Sequence, residues 1–203
     1  MKIICVGRNY AEHARELNNQ VGEQPVIFLK PETALLQRRQ PFFIPDFSTE
    51  IHHEIEIVVK INRLGKNIQP QFAHKYYNEI GLGIDFTARD LQSSLKSKGL
   101  PWELAKAFDG SAPVGDFVSK ADLEPLNSIH FNLKKNGEIV QSGTSADMIF
   151  SIDQIISFAS GFFTLKKGDL IFTGTPKGVG PVVKGDILEG FISDKRLIHV
   201  KVR

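Results

Sequence analysis

Short apolar runs separated by polar or glycine-containing turns dominate this chain of 203 residues. In the longest run, residues 51–61, apolar and more polar side chains alternate in the period-2 pattern of a strand. Asn136-Gly137 stands between two such runs and predicts a tight type I′ hairpin. Strands are therefore predicted at 2–6, 26–29, 51–61, 79–87, 129–134, 139–141, 170–173, 187–192 and 197–202.

Capping signals predict three helices between these strands. The pairs are Asn9 with Glu12, Thr87 with Asp90, and Ser151 with Gln154. The first helix is expected to run to about residue 18, the second to end at Gly99 and Pro101, and the third to cover 152–159 before Gly161. Few helices among many uneven strands predict an α+β, β-rich fold. No linker-like segment divides the chain, so we predict a single domain over residues 1–203.

Composition and charge exclude several classes of function. The chain has 25 basic and 23 acidic residues, a net charge of +2, without a basic block, so we expect neither nucleic-acid nor membrane binding. The apolar run at residues 3–6 is too short for a signal peptide, and a cytoplasmic location is expected. Cys5 is the only cysteine, which excludes an intrachain disulfide and a cysteine-based zinc site.

The most informative chemistry is a set of three carboxylates. On a strand Glu54 and Glu56 point to the same face, roughly 6.5 Å apart. Asp85 interrupts an apolar, glycine-spaced run, where an ionised carboxylate needs a compensating charge. If the three converge, the usual compensating ion is a hard divalent cation. Glu54 and Glu56 would equally be found on the solvated face of a half-exposed strand. The residue pattern therefore leaves open both a metal site and an ordinary strand face.

Other candidate groups have both a functional and an ordinary interpretation. His13 and Glu16, at i and i+3, can form a general-base pair or a solvent-facing pair. Arg89 and Gln92 at a helix start can bind an anion or simply be polar residues of a first turn. Lys106 among small and apolar residues can bind a carboxylate or extend to water. The glycine-rich segment 173–180 offers amide groups to an anion but is not a nucleotide-binding P-loop.

Eight motifs, in order along the chain, resemble the fumarylacetoacetate hydrolase family in its short, acylpyruvate hydrolase-like branch. They span nearly the whole sequence: Gly7-Arg8-Asn9-Tyr10-Ala11-Glu12-His13, Phe28-Leu29-Lys30-Pro31, His53-Glu54-Ile55-Glu56, Asp85-Phe86-Thr87-Ala88-Arg89-Asp90, Lys98-Gly99-Leu100-Pro101-Trp102, Ala105-Lys106-Ala107-Phe108-Asp109, Met148-Ile149-Phe150 and Thr173-Gly174-Thr175-Pro176-Lys177-Gly178-Val179-Gly180.

The resemblance implies a mixed β-sandwich roll, usually a homodimer, and a role for each candidate residue. It makes the three carboxylates, Glu54, Glu56 and Asp85, the ligands of Mg²⁺ or Mn²⁺. It makes His13 and Glu16 a catalytic dyad on a segment that closes over the substrate. It adds Lys106 as a further catalytic group. The residues implied to hold or flank a small α-keto acid are Arg89, Gln92, Lys106 and Thr175.

The lead hypothesis that follows is metal-dependent hydrolysis of the carbon–carbon bond of acylpyruvates, giving pyruvate and a carboxylic acid. The metal would act as a Lewis acid on the keto acid, and His13 would take a proton from the attacking water. The alternative is decarboxylation of oxaloacetate, or decarboxylation or isomerisation of a related keto diacid, since neither needs a hydrolytic water. A binding module without turnover and a nucleotide-binding role are the remaining hypotheses.

Overall fold

A computed structural model describes residues 1–16, 22–37, 40–123 and 125–203. Its strands are β1 Ile3–Gly7, β2 Val26–Lys30, β3 Leu35–Leu36, β4 Ile51–His53, β5 Ile55–Ile61, β6 Tyr77–Ile84, β7 Thr87–Ala88, β8 Ala112–Ser119, β9 His130–Lys135, β10 Glu138–Thr144, β11 Leu170–Phe172, β12 Gly180–Pro181, β13 Ile187–Ile192 and β14 Lys195–Lys201. Its α-helices are α1 Ala11–Glu16, α2 Pro70–Ala73, α3 Arg89–Ser97, α4 Glu103–Lys106 and α5 Ile152–Phe162. Short 3-10 helices lie at Glu32–Ala34, His74–Tyr76, Lys120–Leu123, Leu126–Ser128 and Ser145–Asp147.

The strands form sheets of very different size. A seven-stranded sheet has the order β2-β1-β11-β5-β6-β8-β3, and a four-stranded sheet has the order β10-β9-β13-β14. A small third sheet has the order β12-β4-β7. The pairs β1–β11 and β3–β8 are parallel, whereas β5 and β6 form an antiparallel hairpin-like pair. This mixed, strand-rich α+β architecture confirms the predicted fold class.

The main hydrophobic core lies between the seven-stranded and four-stranded sheets. Ile55 and Leu82 from the larger sheet and Ile198 from the smaller one are buried in it. A Cβ on Gly190 would lie 2.5 Å from a methyl carbon of Ile198 and 3.0 Å from one of Ile55, so glycine lets the sheets approach. A second cluster covers the opposite face of β1 and β11. Because β1 is buried on both faces, its sequence is a continuous apolar run without alternation.

The strand predicted over residues 51–61 is not continuous. It breaks at Glu54 into β4 and β5. The physical reason is that β4 pairs with β7 and β12, whereas β5 continues in the seven-stranded sheet, so the chain changes sheets at Glu54. Strand β8 was not predicted because Pro113 and Gly115 interrupt its apolar pattern.

Two of the predicted helix caps have other hydrogen-bond partners. The side-chain amide of Asn9 donates to the carbonyl oxygens of Phe150 and Thr173, at 3.0 and 2.8 Å. The Thr87 hydroxyl donates to the Asp85 carbonyl, and Ala88 stands at the start of α3 instead. Both cap predictions are therefore wrong, since the Asn9 side chain bonds distant segments and the Thr87 hydroxyl bonds a backbone carbonyl two residues earlier. The predicted end of the first helix near residue 18 lies outside the described residues.

The structure contains the other locally predicted features. The capping box of Ser151 and Gln154 is confirmed, although α5 continues through Gly161 to Phe162. Helix α3 ends as predicted, with Gly99 at φ 65°. Asn136 and Gly137, both at positive φ, connect β9 to β10 in the predicted hairpin. Among the described residues, no helix is both long enough and apolar enough to span a membrane.

Candidate functional site

The three predicted carboxylates meet where β5 begins and β6 ends. Glu54 occupies the break between β4 and β5, Glu56 is the second residue of β5, and Asp85 follows β6. The register places Glu56 opposite Gly83, and the Asp85 amide donates to the Glu54 carbonyl at 2.8 Å. Carboxylate oxygens of all three lie within 4.8 Å of one another, and all three residues are buried. The geometric expectation of one converging acidic cluster is therefore met.

Three buried cations surround this cluster. The Lys106 ammonium donates to Glu54 at 2.8 Å, to Asp85 at 2.7 Å and to the Thr87 hydroxyl at 2.6 Å. The Lys30 ammonium lies 2.7 Å from the other oxygen of Asp85. The Arg89 guanidinium bonds the other oxygen of Glu54. Glu54 and Asp85 therefore each have two cationic partners, as buried charges require.

Glu56 is in a different electrostatic environment. It makes no ion pair within the described residues and accepts one hydrogen bond, from the Gly174 amide at 2.7 Å. Burial, together with the charges of Asp85 and Glu54, raises the pKa of Glu56 well above its usual range. Burial also acts to raise the pKa of Glu54, but the charges of Lys106 and Arg89 outweigh it, so the pKa of Glu54 is lowered. Despite burial, Asp85 and Glu54 raise the pKa of Lys106.

These features fit a divalent cation. Three convergent carboxylates form the all-oxygen donor set that Mg²⁺ and Mn²⁺ prefer. A cation there would supply the positive charge that Glu56 lacks and would favour its ionised form. The residues able to hold the ion are thus Glu54, Glu56 and Asp85, and the donor set does not distinguish magnesium from manganese.

His13 and Glu16 form a hydrogen-bonded pair on α1. Nδ1 of His13 lies 3.2 Å from a carboxylate oxygen of Glu16, and the His13 side chain is buried. The other ring nitrogen of His13 makes no hydrogen bond within the described part of the chain. Glu16 also accepts from the amide of Gly178 at 3.3 Å. This arrangement can orient an imidazole for proton transfer.

A single cleft brings nearly all the predicted site residues together. Glu16 is not among its lining residues but bonds His13, which is. The lining residues are Val6, Gly7, Arg8, His13, Phe28, Glu54, Glu56, Asp85, Arg89, Gln92, Lys96, Trp102, Lys106 and Thr175. Within this cleft Gln92 accepts a 2.6 Å hydrogen bond from Arg89. The sequence pattern alone could not reveal this convergence, because the residues come from segments distant along the chain.

The glycine-rich segment 173–180 binds side chains of the protein itself. Its Gly174 amide donates to Glu56 and its Gly178 amide to Glu16. Gly174 has φ 101°, and a Cβ there would lie 2.8 Å from that of Asn9. These amides therefore have carboxylate partners within the chain, which removes the basis for a nucleotide site there.

Two functional-site residues were not identified from the sequence. Lys30, at the end of apolar strand β2, is fully buried and also donates to Ser111. Gln141 lies at the bulge of β10 and is likewise buried. A lysine that ends an apolar run directly before proline was the available signal for Lys30. The sequence offers no comparable signal for Gln141, whose role depends on contacts with distant segments.

Comparison with known proteins adds family and relatives to this geometry. The family model described as fumarylacetoacetate (FAA) hydrolase C-terminal matches residues 2–202. The mitochondrial oxaloacetate tautomerase FAHD1 of Mus musculus is 44% identical over 201 residues, covering 99% of this chain and 91% of that protein. The oxaloacetate tautomerase YcgM of Escherichia coli K12 is 46% identical over 189 residues, covering 92% and 86%.

Two further relatives are named for other reactions. The mitochondrial oxaloacetate decarboxylase of Dictyostelium discoideum is 42% identical over 189 residues, covering 93% of this chain and 87% of that protein. A fumarylpyruvate hydrolase from Pseudomonas aeruginosa, solved in complex with Mn²⁺ and pyruvate, superposes with a TM-score of 0.92 at 36% identity. That comparison covers 100% of this chain and 89% of the other. The likeness thus extends over whole chains and over three reaction types.

Proposed function

This chain belongs to the fumarylacetoacetate hydrolase family, whose model matches almost its full length, and on that premise we propose that it is an oxaloacetate tautomerase. The reaction interconverts the enol and keto forms of a four-carbon keto diacid. The supporting observation is that the His13–Glu16 pair faces the acidic cluster and Lys106 in one cleft. Tautomerase relatives with 44% and 46% identity favour this reaction over the acylpyruvate hydrolysis first expected.

Tautomerisation needs only a movable proton and a stabilised oxygen. In the enol-to-keto direction, the hydroxyl on carbon 2 loses its proton, carbon 3 gains one, and the double bond moves from carbon–carbon to carbon–oxygen. A bound divalent cation, held by Glu54, Glu56 and Asp85, would supply Lewis-acid stabilisation of negative charge on that oxygen. The chain's own residues supply the rest of the proposed chemistry.

His13 is the proposed carrier of the proton. Its Nδ1 is held by Glu16, which fixes the orientation of the ring, and its other nitrogen makes no hydrogen bond within the described residues. Lys106, kept charged by Glu54 and Asp85, is the proposed donor to the oxygen on carbon 2. Arg89, Gln92 and Thr175 line the same cleft and are proposed to hold the adjacent carboxylate and keto group.

Decarboxylation of oxaloacetate is the second candidate. Keto-oxaloacetate would lose carbon dioxide from carbon 3 to leave the enolate of pyruvate, which then gains a proton. The same groups would stabilise the enolate oxygen, and the Dictyostelium decarboxylase supports this reaction. Hydrolysis of acylpyruvates is the third and rests on the fumarylpyruvate hydrolase structure. All three reactions use small keto acids and one metal site, so they differ in what happens after the substrate is bound.

One set of assays separates these reactions. Ketonisation of freshly dissolved enol-oxaloacetate is followed by loss of its ultraviolet absorbance, with Mg²⁺, with Mn²⁺ and with chelator. Carbon dioxide release from oxaloacetate and cleavage of acetylpyruvate are measured on the same preparation. We expect the metal-loaded protein to accelerate ketonisation. We also expect the rate of ketonisation to exceed the rates of carbon dioxide release and of acetylpyruvate cleavage. Unaccelerated ketonisation beside rapid cleavage of acetylpyruvate would overturn the proposal and restore the hydrolase hypothesis.

A further inference from the structure

We infer that Arg8, Lys96 and Trp102 form a second anion subsite in the cleft, which binds the carboxylate of the substrate farther from its keto group. This inference rests on the proposed function, whose substrate carries two carboxylates. It assigns a task to three lining residues that the acidic cluster and the His13–Glu16 pair leave unused. The subsite would distinguish keto diacids from keto monoacids.

The three residues come from different elements and meet at one ring. Arg8 directly follows β1, Lys96 lies in the last turn of α3, and Trp102 directly precedes α4. The Arg8 guanidinium carbon lies 5.7 Å from the centroid of the Trp102 ring, and the Lys96 nitrogen lies 5.3 Å from it. Both are cation–π distances, so the indole brings two like charges to one place.

Neither cation has an anionic partner within the described part of the chain. Among the described residues, Arg8 and Lys96 make no ion pair, and the buried Nε of Arg8 makes no hydrogen bond. An unpaired buried donor is costly. Burial, together with the charges of Arg8, Arg89 and Lys106, lowers the pKa of Lys96 to about 8. The surroundings of these two residues therefore carry an excess of positive charge, which a bound anion would relieve.

The backbone at Arg8 supports a functional reason for this placement. Arg8 has φ 62°, a left-handed conformation that is uncommon for residues other than glycine. Such a conformation persists where the surrounding structure holds it in place, and it is often found in ligand sites. Here the conformation accompanies a guanidinium placed against Trp102 in the cleft.

The subsite lies one aromatic pair away from the acidic cluster. The Lys106 nitrogen lies 5.4 Å from the ring centroid of Phe28, and the Phe28 and Trp102 rings are 6.2 Å apart, edge to face. Two rings thus separate Lys106, at the carboxylates, from Arg8 and Lys96. All of these side chains line the same cleft, and the proposed position of the far carboxylate is at Arg8 and Lys96.

The charge balance of the cleft fits a dianion. Its lining includes four basic side chains and three carboxyl groups: Arg8, Arg89, Lys96 and Lys106 against Glu54, Glu56 and Asp85. A divalent cation would increase the positive excess further. A substrate with two carboxylates neutralises more of this excess than one with a single carboxylate.

The test compares two unreactive ligands that differ only at the far end. Malate and lactate share an α-hydroxy carboxylate, and malate alone carries the second carboxylate. Their affinities for Mg²⁺-loaded protein are measured by calorimetry in the wild type, in Lys96→Met and in Arg8→Asn. Asparagine is chosen because it adopts positive φ readily. Lys98→Met is the matched control, since Lys98 lies two residues from Lys96, is exposed and is absent from the cleft lining.

We expect the wild type to prefer malate, and Lys96→Met and Arg8→Asn each to reduce that preference about tenfold, as loss of one charge-assisted contact predicts. Lactate affinity and all values for Lys98→Met should change less than about twofold, within the range of surface charge effects. Equal affinity for both ligands in the wild type, or an unchanged malate preference in Lys96→Met, would overturn the subsite. Absence of tautomerase activity beside a Lys96-dependent malate preference would instead discard only the proposed reaction.

Discussion

At the scale of single residues, the acidic cluster is specified by how each carboxylate is paired. Glu54 and Asp85 are held by Lys106, Arg89 and Lys30, whereas the one partner of the Glu56 carboxylate among the residues described is the Gly174 amide. Removing a partner from a buried ion pair leaves a costly unpaired charge. Substitution of Glu56 creates no such charge. It is therefore the carboxylate whose replacement best separates metal binding from folding.

His13 provides the residue-scale test of catalysis. We expect His13→Gln to lower the rate of oxaloacetate ketonisation by about a hundredfold or more, the usual contribution of a positioned acid–base group. Glu16→Gln should cost less, because it removes the charge beside the imidazole but keeps an acceptor. Steady-state kinetics measure both effects. His74→Gln is the control, since His74 is exposed and absent from the cleft. Wild-type rates in His13→Gln would contradict the assignment.

At the scale of elements, Gln141 joins three segments that form the site. Its side-chain oxygen accepts from the Ile55 amide at 3.1 Å and lies 2.9 Å from Nδ1 of His53. Its side-chain amide donates to the Thr175 hydroxyl at 2.9 Å and to the Pro176 carbonyl at 3.0 Å. Gln141 on β10 thus fixes both residues that flank Glu54, and with them the glycine-rich segment.

Gln141→Leu is therefore expected to destabilise the site as a unit. Losing these bonds while leaving their partners buried should lower the free energy of unfolding by about 2 kcal/mol. The affinity for Mg²⁺ should fall as well, because Glu54 loses the support of its neighbours. Urea unfolding and calorimetric metal titration measure the two effects. Gln71→Leu, at an exposed position, is the control. Unchanged Mg²⁺ affinity in Gln141→Leu would show that β10 does not position Glu54.

Elements set by short-range signals were the predictable ones. The hairpin at Asn136-Gly137 and the capping box of Ser151 are both local and both present. Asn9 and Thr87 carry equally good capping signals, yet their side chains bond segments far along the chain. The break at Glu54 has the same origin, since β4 joins a different sheet only through β7 and β12. Local pattern cannot predict these outcomes.

At the scale of the whole molecule, the site depends on segments from across the sequence. Sequence spacing alone identified Glu54, Glu56 and the His13–Glu16 pair as candidates, but it could not predict that they lie together at one cleft. The order of the motifs indicated a family resemblance, and that resemblance implied a common site for these residues. Lys30 and Gln141 were not identified from the sequence because their roles depend on tertiary contacts. The homodimer and the single-domain organisation stay predictions, as does the cytoplasmic location.

Metal binding is expected to stabilise the entire fold. A cation that binds only the folded state at one hundred times its dissociation constant adds about 2.7 kcal/mol. For a chain of this size that corresponds to roughly 5–10 °C in Tm. Thermal unfolding with and without Mg²⁺ measures the shift in the wild type and in Glu56→Gln. The variant should lose most of the shift, whereas Glu79→Gln, at an exposed position, should retain it.

The metal-free Tm of Glu56→Gln is the second readout of that experiment. Because burial and two neighbouring carboxylates raise the pKa of Glu56, an uncharged amide there should leave the metal-free protein at least as stable as the wild type. The glutamine oxygen can still accept from Gly174. A full Mg²⁺-induced shift in Glu56→Gln would exclude Glu56 as a ligand.

One short turn links the two halves of the proposed chemistry. Gly174 binds Glu56, a proposed metal ligand, and Gly178, four residues later, binds Glu16 of the proposed proton-transfer pair. Allosteric coupling is reciprocal, so any factor by which metal occupancy alters the Glu16–Gly178 contact must equally describe how that contact alters metal affinity. This turn is a shared support of the two proposed sites, so a substitution within it is expected to alter metal affinity and proton transfer together.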